Sequence, residues 1–389
     1  MIQVLLLAAA IAVGQFANSM ILPALPLLAR ELGVPAASAG LVVTAYFVGF
    51  AGVGLIVGPL SDHLGRRRLL LGGIAILSLG SLACAFAASF YVLLACRLLQ
   101  AAGAAGTPVL SRAMVRDTHK DGDLAGALGL LATVMSVSPV LGPIAGGFLV
   151  DTMGWRWLFG FLAVLAALAA LAVYVGVAET LVPSTAGNMG TTWHQMRMLL
   201  ARPRFRGGVF FGAAFFFSFG VIYTTAPFLL IDHFGLSHTQ FGAAFAIMSA
   251  CLAAGGLVGP RLMNLATQVR LLDGAASLAI AAGLLLLVFA ASGEASVAAI
   301  VLCLATFGLA FGVALSVGAA LTLNDAGEAA GTASSLSGFL QVGTAALGSA
   351  VANLLHGGSA VPLSATLLFT GVAAFFAIRR LDSGSAVAG

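Results

Sequence analysis

The eleven residues GPLSDHLGRRR (58–68) hold four formal charges, Asp62 and Arg66 to Arg68, in a sequence that is 8% charged and 61% hydrophobic. A carboxylate four residues before a guanidinium can form an ion pair. It can equally sit against a helix N-terminus, where unpaired N–H groups and a partial positive charge attract an anion. Further along, Arg97 and Gln100 lie one turn apart within an apolar run. Near the start, Gln15, Asn18 and Ser19 fall at i, i+3 and i+4, which makes one polar stripe on an otherwise apolar helix. These groups suit ion pairing and recognition rather than bond breaking. The six histidines are dispersed, no G-x-x-x-x-G-K-[ST] loop occurs, and the four cysteines lie singly inside apolar segments. The expectation is therefore no enzyme, no metal, no cofactor and no direct use of ATP.

The elements that must position these residues are set by hydropathy. A mean hydropathy of +1.10 over 389 residues lies outside the range of water-soluble domains. Apolar runs near 4–27, 38–58, 69–88, 91–110, 124–149, 156–178, 207–230, 239–259, 271–291, 296–322, 332–355 and 361–378 predict twelve membrane-spanning helices. The first run has no Lys or Arg before it and continues past its alanines, so it reads as a retained span, not a cleaved signal. With both termini cytoplasmic, 14 of the 17 basic residues fall in inside loops or tails, outside loops keep only Arg30 and Arg156, and Arg97 is left within a span. The net charge of +4 thus reports orientation in a bilayer, not a nucleic-acid partner.

The plan is duplicated. PLLARELGVPAASAG (26–40) matches PFLLIDHFGLSHTQFG (227–242) at an offset of 201 residues for the prolines and 202 for the glycines. The pair GP at 58–59 returns at 259–260, and RLLLGG at 68–73 answers RLLDGA at 270–275. An even number of spans separates the copies, so they share one orientation, as in parallel repeats that place a substrate path at their seam. The expected organisation is a six-helix bundle over 1–178, a connection over 179–206 and a second six-helix bundle over 207–389. Residues 192–201 of the connection suit either a surface-lying amphipathic helix or part of a plain tether.

With these residues in view, the chain resembles the major facilitator superfamily. The stretch from Gly58 through Asp62, Gly65, Arg66 and Arg67 follows its loop signature G-x-L-x-D-x-x-G-R-[R/K], with His63 where arginine is common. LLACRLLQAAG (93–103) is similar to the fourth-span antiporter motif, and SPVLGPIAGG (138–147) to the fifth-span motif, with Ser138 in place of its first glycine. Together with GWRWLF and AGTASSLSGFLQ, these stretches resemble the Bcr/CflA–EmrD group of drug:proton antiporters. The resemblance implies an all-α membrane protein of twelve transmembrane helices in two parallel-repeat six-helix bundles. It implies a bacterial inner-membrane exporter, monomeric, that moves amphipathic small molecules in exchange for protons by alternating access. A dedicated exporter of one cellular metabolite, with looser proton coupling, is the alternative.

The resemblance also distributes roles. Gly58, Asp62, Gly65, Arg66 and Asp117 make a gating latch, with Arg66 bridging the two aspartates and Asp62 facing the span that opens at GTASSL (331–336). Topology alone would explain Arg67 and Arg68, but it needs no acid at Asp62. Gly142, Pro143, Gly146 and Gly147 form the antiporter motif: glycines four apart leave a bare face for a close neighbour, and the proline permits a bend. Arg97 with Gln100 is assigned to coupling or substrate, set against shallow snorkelling of Arg97. Gln15, Asn18 and Ser19, and the aromatic stripe with Phe215, Phe219 and Tyr223, either line the cavity or pack helices together. Many relatives carry an acid where Ser19 stands. This chain has none there, so either the proton site falls to a helix end, Asp232 with His233 or Asp62, or coupling is looser.

Overall fold

The computed structural model describes residues 1–119, 122–181, 189–324, 329–354 and 360–385, and among them every regular element is helical. Among the described residues twelve helices are long and apolar enough to cross a membrane. In the first half they are built from α1 (Ile2–Ser19), α2 (Leu25–Glu31), α3 (Ala36–Ala39), α4 (Leu41–Leu64), α5 (Arg66–Ala85), α6 (Phe90–Thr118), α7 (Gly122–Met153) and α8 (Trp155–Gly176). A surface helix, α9 (Met189–Ala201), precedes α10 (Pro203–Pro227), α11 (His238–Leu262), α12 (Gln268–Ser292), α13 (Val297–Asn324), α14 (Ala330–Leu354) and α15 (Val361–Ser385).

Several helices overrun the apolar windows. α6 reaches Thr118 where the apolar run ends near 110, and α4 reaches Leu64 where it ends near 58. The apolar window measures the hydrocarbon thickness, whereas backbone hydrogen bonding continues into the polar boundary. The expected loop at 58–68 is consequently reduced to one residue. Gly58 to Leu64 are the last turns of α4, Arg66 opens α5, and Gly65 alone reverses the chain at φ +95°, a conformation side chains rarely adopt. Gly154 does the same between α7 and α8 at φ +89°. The first span is broken instead by Pro23 and Pro26: α1 stops at Ser19, a 3₁₀ turn covers Leu22–Ala24, and α2 carries the chain to Glu31.

The chain divides into two compact units, Met1–Thr192 with Ser237–Gly242, and Trp193–Leu236 with Ala243–Gly389. The division falls inside the 179–206 connection because its two ends bond differently. Glu179 accepts backbone N–H groups from Arg66 and Arg67 of the first unit, whereas Gln195 accepts the Thr332 hydroxyl of the second at 2.8 Å. Residues 182–188 of that connection lie outside the described residues.

Inside each unit, glycines let backbones touch. In the first, a Cβ on Gly80 would stand 2.7 Å from the Gln100 nitrogen, and one on Gly103 would stand 2.5 Å from the Gly73 carbonyl and overlap the Leu77 nitrogen, so α5 and α6 meet backbone to backbone. In the second, Gly220 of α10 faces the Ala345 carbonyl and Gly348 of α14 faces the Phe217 carbonyl. Lipid supplies no hydrophobic drive between helices, so close van der Waals contact and interhelical hydrogen bonds hold them. The Ser218 hydroxyl contacts Thr370 at 2.5 Å, and Thr224 contacts Ser349 at 2.7 Å, within the second unit.

Gly103→Val should therefore cost about 1–3 kcal/mol or more through overpacking, whereas Gly129→Val, which points into open space, should cost little. Thermal unfolding of the two variants in detergent checks this, and equal midpoints would contradict it.

Candidate functional site

Where α4, α5 and α6 end on the arginine-rich side, Arg66 lies between two carboxylates. Its guanidinium stands 2.8 Å from Asp117 Oδ2 and 3.5 Å from Asp62 Oδ1. Asp62 is in the last turn of α4, Arg66 opens α5, and Asp117 is in the last turn of α6, so one cation joins three helix ends. The Gly58 carbonyl accepts the Ser61 hydroxyl at 2.6 Å within the final turns of α4. Arg67 turns away, donating to the Tyr174 carbonyl at 2.5 Å with its guanidinium over the Tyr174 ring at 5.3 Å. Arg67 therefore holds α5 to α8 as well as marking topology.

Two further residues, absent from the motif reading, complete this cluster. Glu179 Oε1 accepts the Arg66 N–H at 3.0 Å, and Oε2 accepts the Arg67 N–H at 3.2 Å, so a carboxylate from beyond α8 caps the N-terminus of α5. Thr180 donates its hydroxyl to Asp117 Oδ2 at 2.9 Å. Burial by itself would raise the Glu179 pKa, but backbone N–H donors from Leu181, Arg67, Thr180 and Arg66 together hold the carboxyl below its usual range. Gly65 is needed twice here, for its φ and because a Cβ would lie 2.7 Å from Glu179 Oε2. The 113 residues between Arg66 and Glu179 explain why no local spacing reveals the pair.

Deeper in the first unit, Arg97 is fully buried. It donates to the Ala17 carbonyl at 2.9 Å, to Gln100 Oε1 at 2.5 Å and to the Val42 carbonyl at 3.5 Å. The Tyr46 ring lies 4.5 Å from its guanidinium and the Phe159 ring 5.8 Å. Gln100 passes the network on to Ser81 Oγ at 2.7 Å, and the Tyr46 hydroxyl donates to the Gly14 carbonyl at 2.8 Å. Helices α1, α4, α6 and α8 converge on this one cation, and among the described residues none of its contacts is a carboxylate. Depth rules out snorkelling, and complete burial places Arg97 away from a water-filled cavity in this conformation.

The first-span stripe divides. Ser19 is buried, donates its hydroxyl to the Gln15 carbonyl at 3.1 Å and abuts Gly142, so it packs helices rather than lining a cavity. Gln15 and Asn18 are half-buried, and Asn18 Oδ1 has no hydrogen-bond partner. None of the three side chains reaches Arg97, which bonds instead to the backbone between them at Ala17.

The fifth-span motif does what bare glycines permit. Gly142 meets Ser19 and Gly146 meets the Met20 backbone, where α1 breaks, while Gly147 meets the His238 carbonyl and the Pro143 carbonyl meets Gly242. Asp151, at the end of the same helix, caps the turn that opens at His238. Its Oδ2 accepts the Thr239 N–H at 2.8 Å and the Thr239 hydroxyl at 2.6 Å, and its Oδ1 contacts His238 Nδ1 at 2.6 Å.

In the second unit the aromatic stripe differs from a cavity lining. Phe215 is fully buried, stacked on Phe307 and Phe311 at 5.7 Å each, and Tyr223, 1% exposed, lies 5.4 Å from Phe245. Phenylalanines on neighbouring helices fill the same layer, so these rings form the unit's core. Phe219 alone of the three is partly exposed, 4.1 Å from Tyr223. Asp232 and His233 are exposed in the wide π turn Phe228–His233 that ends the first span of this unit.

Comparison with known proteins places this geometry. The model of the Major Facilitator Superfamily matches residues 7–349. "Uncharacterized MFS-type transporter YdgK" of Bacillus subtilis is 31% identical over 94% of this chain and 92% of its own length. "Chloramphenicol resistance protein" of Pseudomonas aeruginosa is 33% identical over 60% of this chain and 55% of its own, and "Multidrug resistance protein D" of Escherichia coli is 36% identical over 42% and 41%. Among solved structures, a bacterial homolog of the human lysosomal transporter Spinster shares the fold with a TM-score of 0.75 at 16% identity, covering 97% of this chain and 96% of that one.

Glu179→Gln should keep the shape and lose the charge of the α5 cap, an exposed site where the loss is near the low end of about 0.5–2 kcal/mol. Hydrogen exchange at the Arg66 and Arg67 amides should quicken by roughly two- to fivefold in the variant. In the parent, acid should lower the protection of these amides in the same way once the intrinsic slowing of exchange at lower pH is divided out. A carboxylate held below its usual pKa contributes fully above the ordinary carboxylate range, and that contribution fades as pH falls through the lowered value. Unchanged exchange in the variant would separate Glu179 from the α5 terminus.

Proposed function

Because the chain belongs to the Major Facilitator Superfamily, whose members carry small molecules across lipid bilayers, we propose that it is a bacterial inner-membrane exporter of amphipathic drug-like molecules, driven by proton antiport. The observation that carries this reading is the bare face of α7, where Gly142, Gly146 and Gly147 with Pro143 lie directly on backbone at Ser19–Met20 and at His238. Such contact leaves no gap beside the break in the first span, as an antiporter needs if protons are not to leak past its substrate. Relatives named for chloramphenicol and multidrug resistance support the substrate class. Both termini are assigned to the cytoplasm by the excess of arginine on that side.

In this proposal Asp62, Arg66 and Asp117, with Gly58 and Gly65, are the latch on the cytoplasmic face, and Glu179 and Thr180 steady it. Arg97 and Gln100 act by fixing the carbonyls of α1 and α4 rather than by touching substrate. Gln15, Asn18 and Phe219, the partly exposed members of the two stripes, are the groups assigned to substrate. For the proton, Asp62 is preferred over Asp232 and His233. It is already paired with Arg66, so binding a proton would change the latch. A second reading, a dedicated metabolite exporter, is favoured by the lack of an acid at Ser19 and by the full-length likeness to YdgK, a transporter printed as uncharacterized.

Purified protein in proteoliposomes with an imposed pH gradient should accumulate chloramphenicol against its concentration, and dissipating the gradient should abolish this. Asp62→Asn should insert normally and slow transport about tenfold, equivalent to about 1.4 kcal/mol of barrier. Transport indifferent to the gradient would remove antiport, and metabolite transport without drug transport would favour the second reading.

A further inference from the structure

Helix α9, between the two spans that flank the connection, has a face the transport reading does not use. Met196 and Leu199 are buried and Gln195 bonds Thr332, which fixes the side turned to the second unit. At 100° per residue Trp193, Arg197 and Leu200 share one exposed side within about 60° of one another, with His194 and Met198 further round the helix. Trp193 is 57% exposed, Met198 53% and Leu200 41%. Arg202, Arg204 and Arg206 continue the exposed surface into the first turn of α10.

A tryptophan and a leucine presented beside guanidiniums suit neither water nor hydrocarbon. They suit the boundary between them, where an indole seats at headgroup level and arginine meets phosphate. The position agrees, since α9 ends one residue before a membrane span begins at Pro203 and so must lie at the level where that span leaves the bilayer. No acid occurs between Trp193 and Arg206, a stretch that holds four arginines, so the face is charged with one sign. We propose that this face of α9 is a docking surface for anionic phospholipid headgroups of the membrane in which the chain sits. It seats Trp193 and Leu200 among the upper acyl chains and pairs Arg197 and Arg206 with lipid phosphates. The inference rests on the transport reading only for the cytoplasmic side of this loop. Its consequence is that the connection between the units is held at the inner leaflet, not free in solution.

The test uses the full chain in phosphatidylcholine vesicles containing phosphatidylglycerol, with bromine carried on the acyl chains of one lipid or the other. Quenching attributable to Trp193, taken as the difference from Trp193→Phe, should be stronger when phosphatidylglycerol carries the bromine. Arg197→Glu with Arg206→Glu should erase the preference, with about a fivefold loss of local enrichment for each arginine. Arg197→Lys with Arg206→Lys should keep it, and molar salt should weaken it as the Debye length shrinks to about 3 Å. Equal quenching by both lipids would overturn the anionic preference. No quenching by either would overturn docking altogether and leave the face to water or a protein partner. The readout needs no substrate, so it stands or fails apart from drug transport, and a folded charge-reversed variant is identified by its unchanged thermal midpoint.

Discussion

One cation in the low-dielectric interior constrains the first unit more than any other group. Arg97 lies where water cannot solvate it, and a lone charge there would cost several kcal/mol at the least. Among the described residues no carboxylate compensates it. The charge is spread over two backbone carbonyls, a glutamine oxygen and two aromatic faces. Each acceptor comes from a different place in the chain, so the arginine is tolerated only when α1, α4, α6 and α8 are all in register. The proline-enforced break in the first span follows α1 closely, and Arg97 supplies a donor to the Ala17 carbonyl just before it.

A second arrangement of charge sits at the polar boundary and obeys different rules. Asp62 and Asp117 face the one guanidinium of Arg66, and Glu179 meets the backbone N–H groups of Arg66 and Arg67 at the N-terminus of α5. Partial exposure softens each pair, so no single bond dominates. What makes the cluster specific is its geometry. A one-residue glycine turn brings the end of α4 and the start of α5 within reach of a carboxylate that enters from beyond α8. Asp151 uses the same device elsewhere, capping the helix that opens at His238.

Packing in both units relies on small residues rather than on interlocking large ones. Glycine contacts set α5 against α6 and α10 against α14, and hydroxyl pairs such as Ser218 with Thr370 bind without widening the gap. The second unit adds an aromatic layer from Phe211 through Tyr223 to Phe307 and Phe311. A ring placed every fourth residue looks alike whether it faces a ligand or a neighbouring helix. The period fixes only that the rings share a side.

Sequence alone determined the class, twelve apolar helices with their arginines gathered on one side, because hydrocarbon thickness and charge asymmetry are written in consecutive residues. It also determined that Asp62, Gly65 and Arg66 belong together, since the motif is local, and that the bare glycine face of α7 must meet a close neighbour. Only tertiary structure decided who those neighbours are. It set Ser19 against Gly142, turned Phe215 and Tyr223 into core, and gave Arg97 to the backbone of Ala17 rather than to the polar side chains around it. It also brought Glu179 to Arg66 across 113 residues of chain and Thr180 to Asp117 across 63. Partners so far apart are selected by packing many helices at once, and no periodicity along one helix encodes that choice.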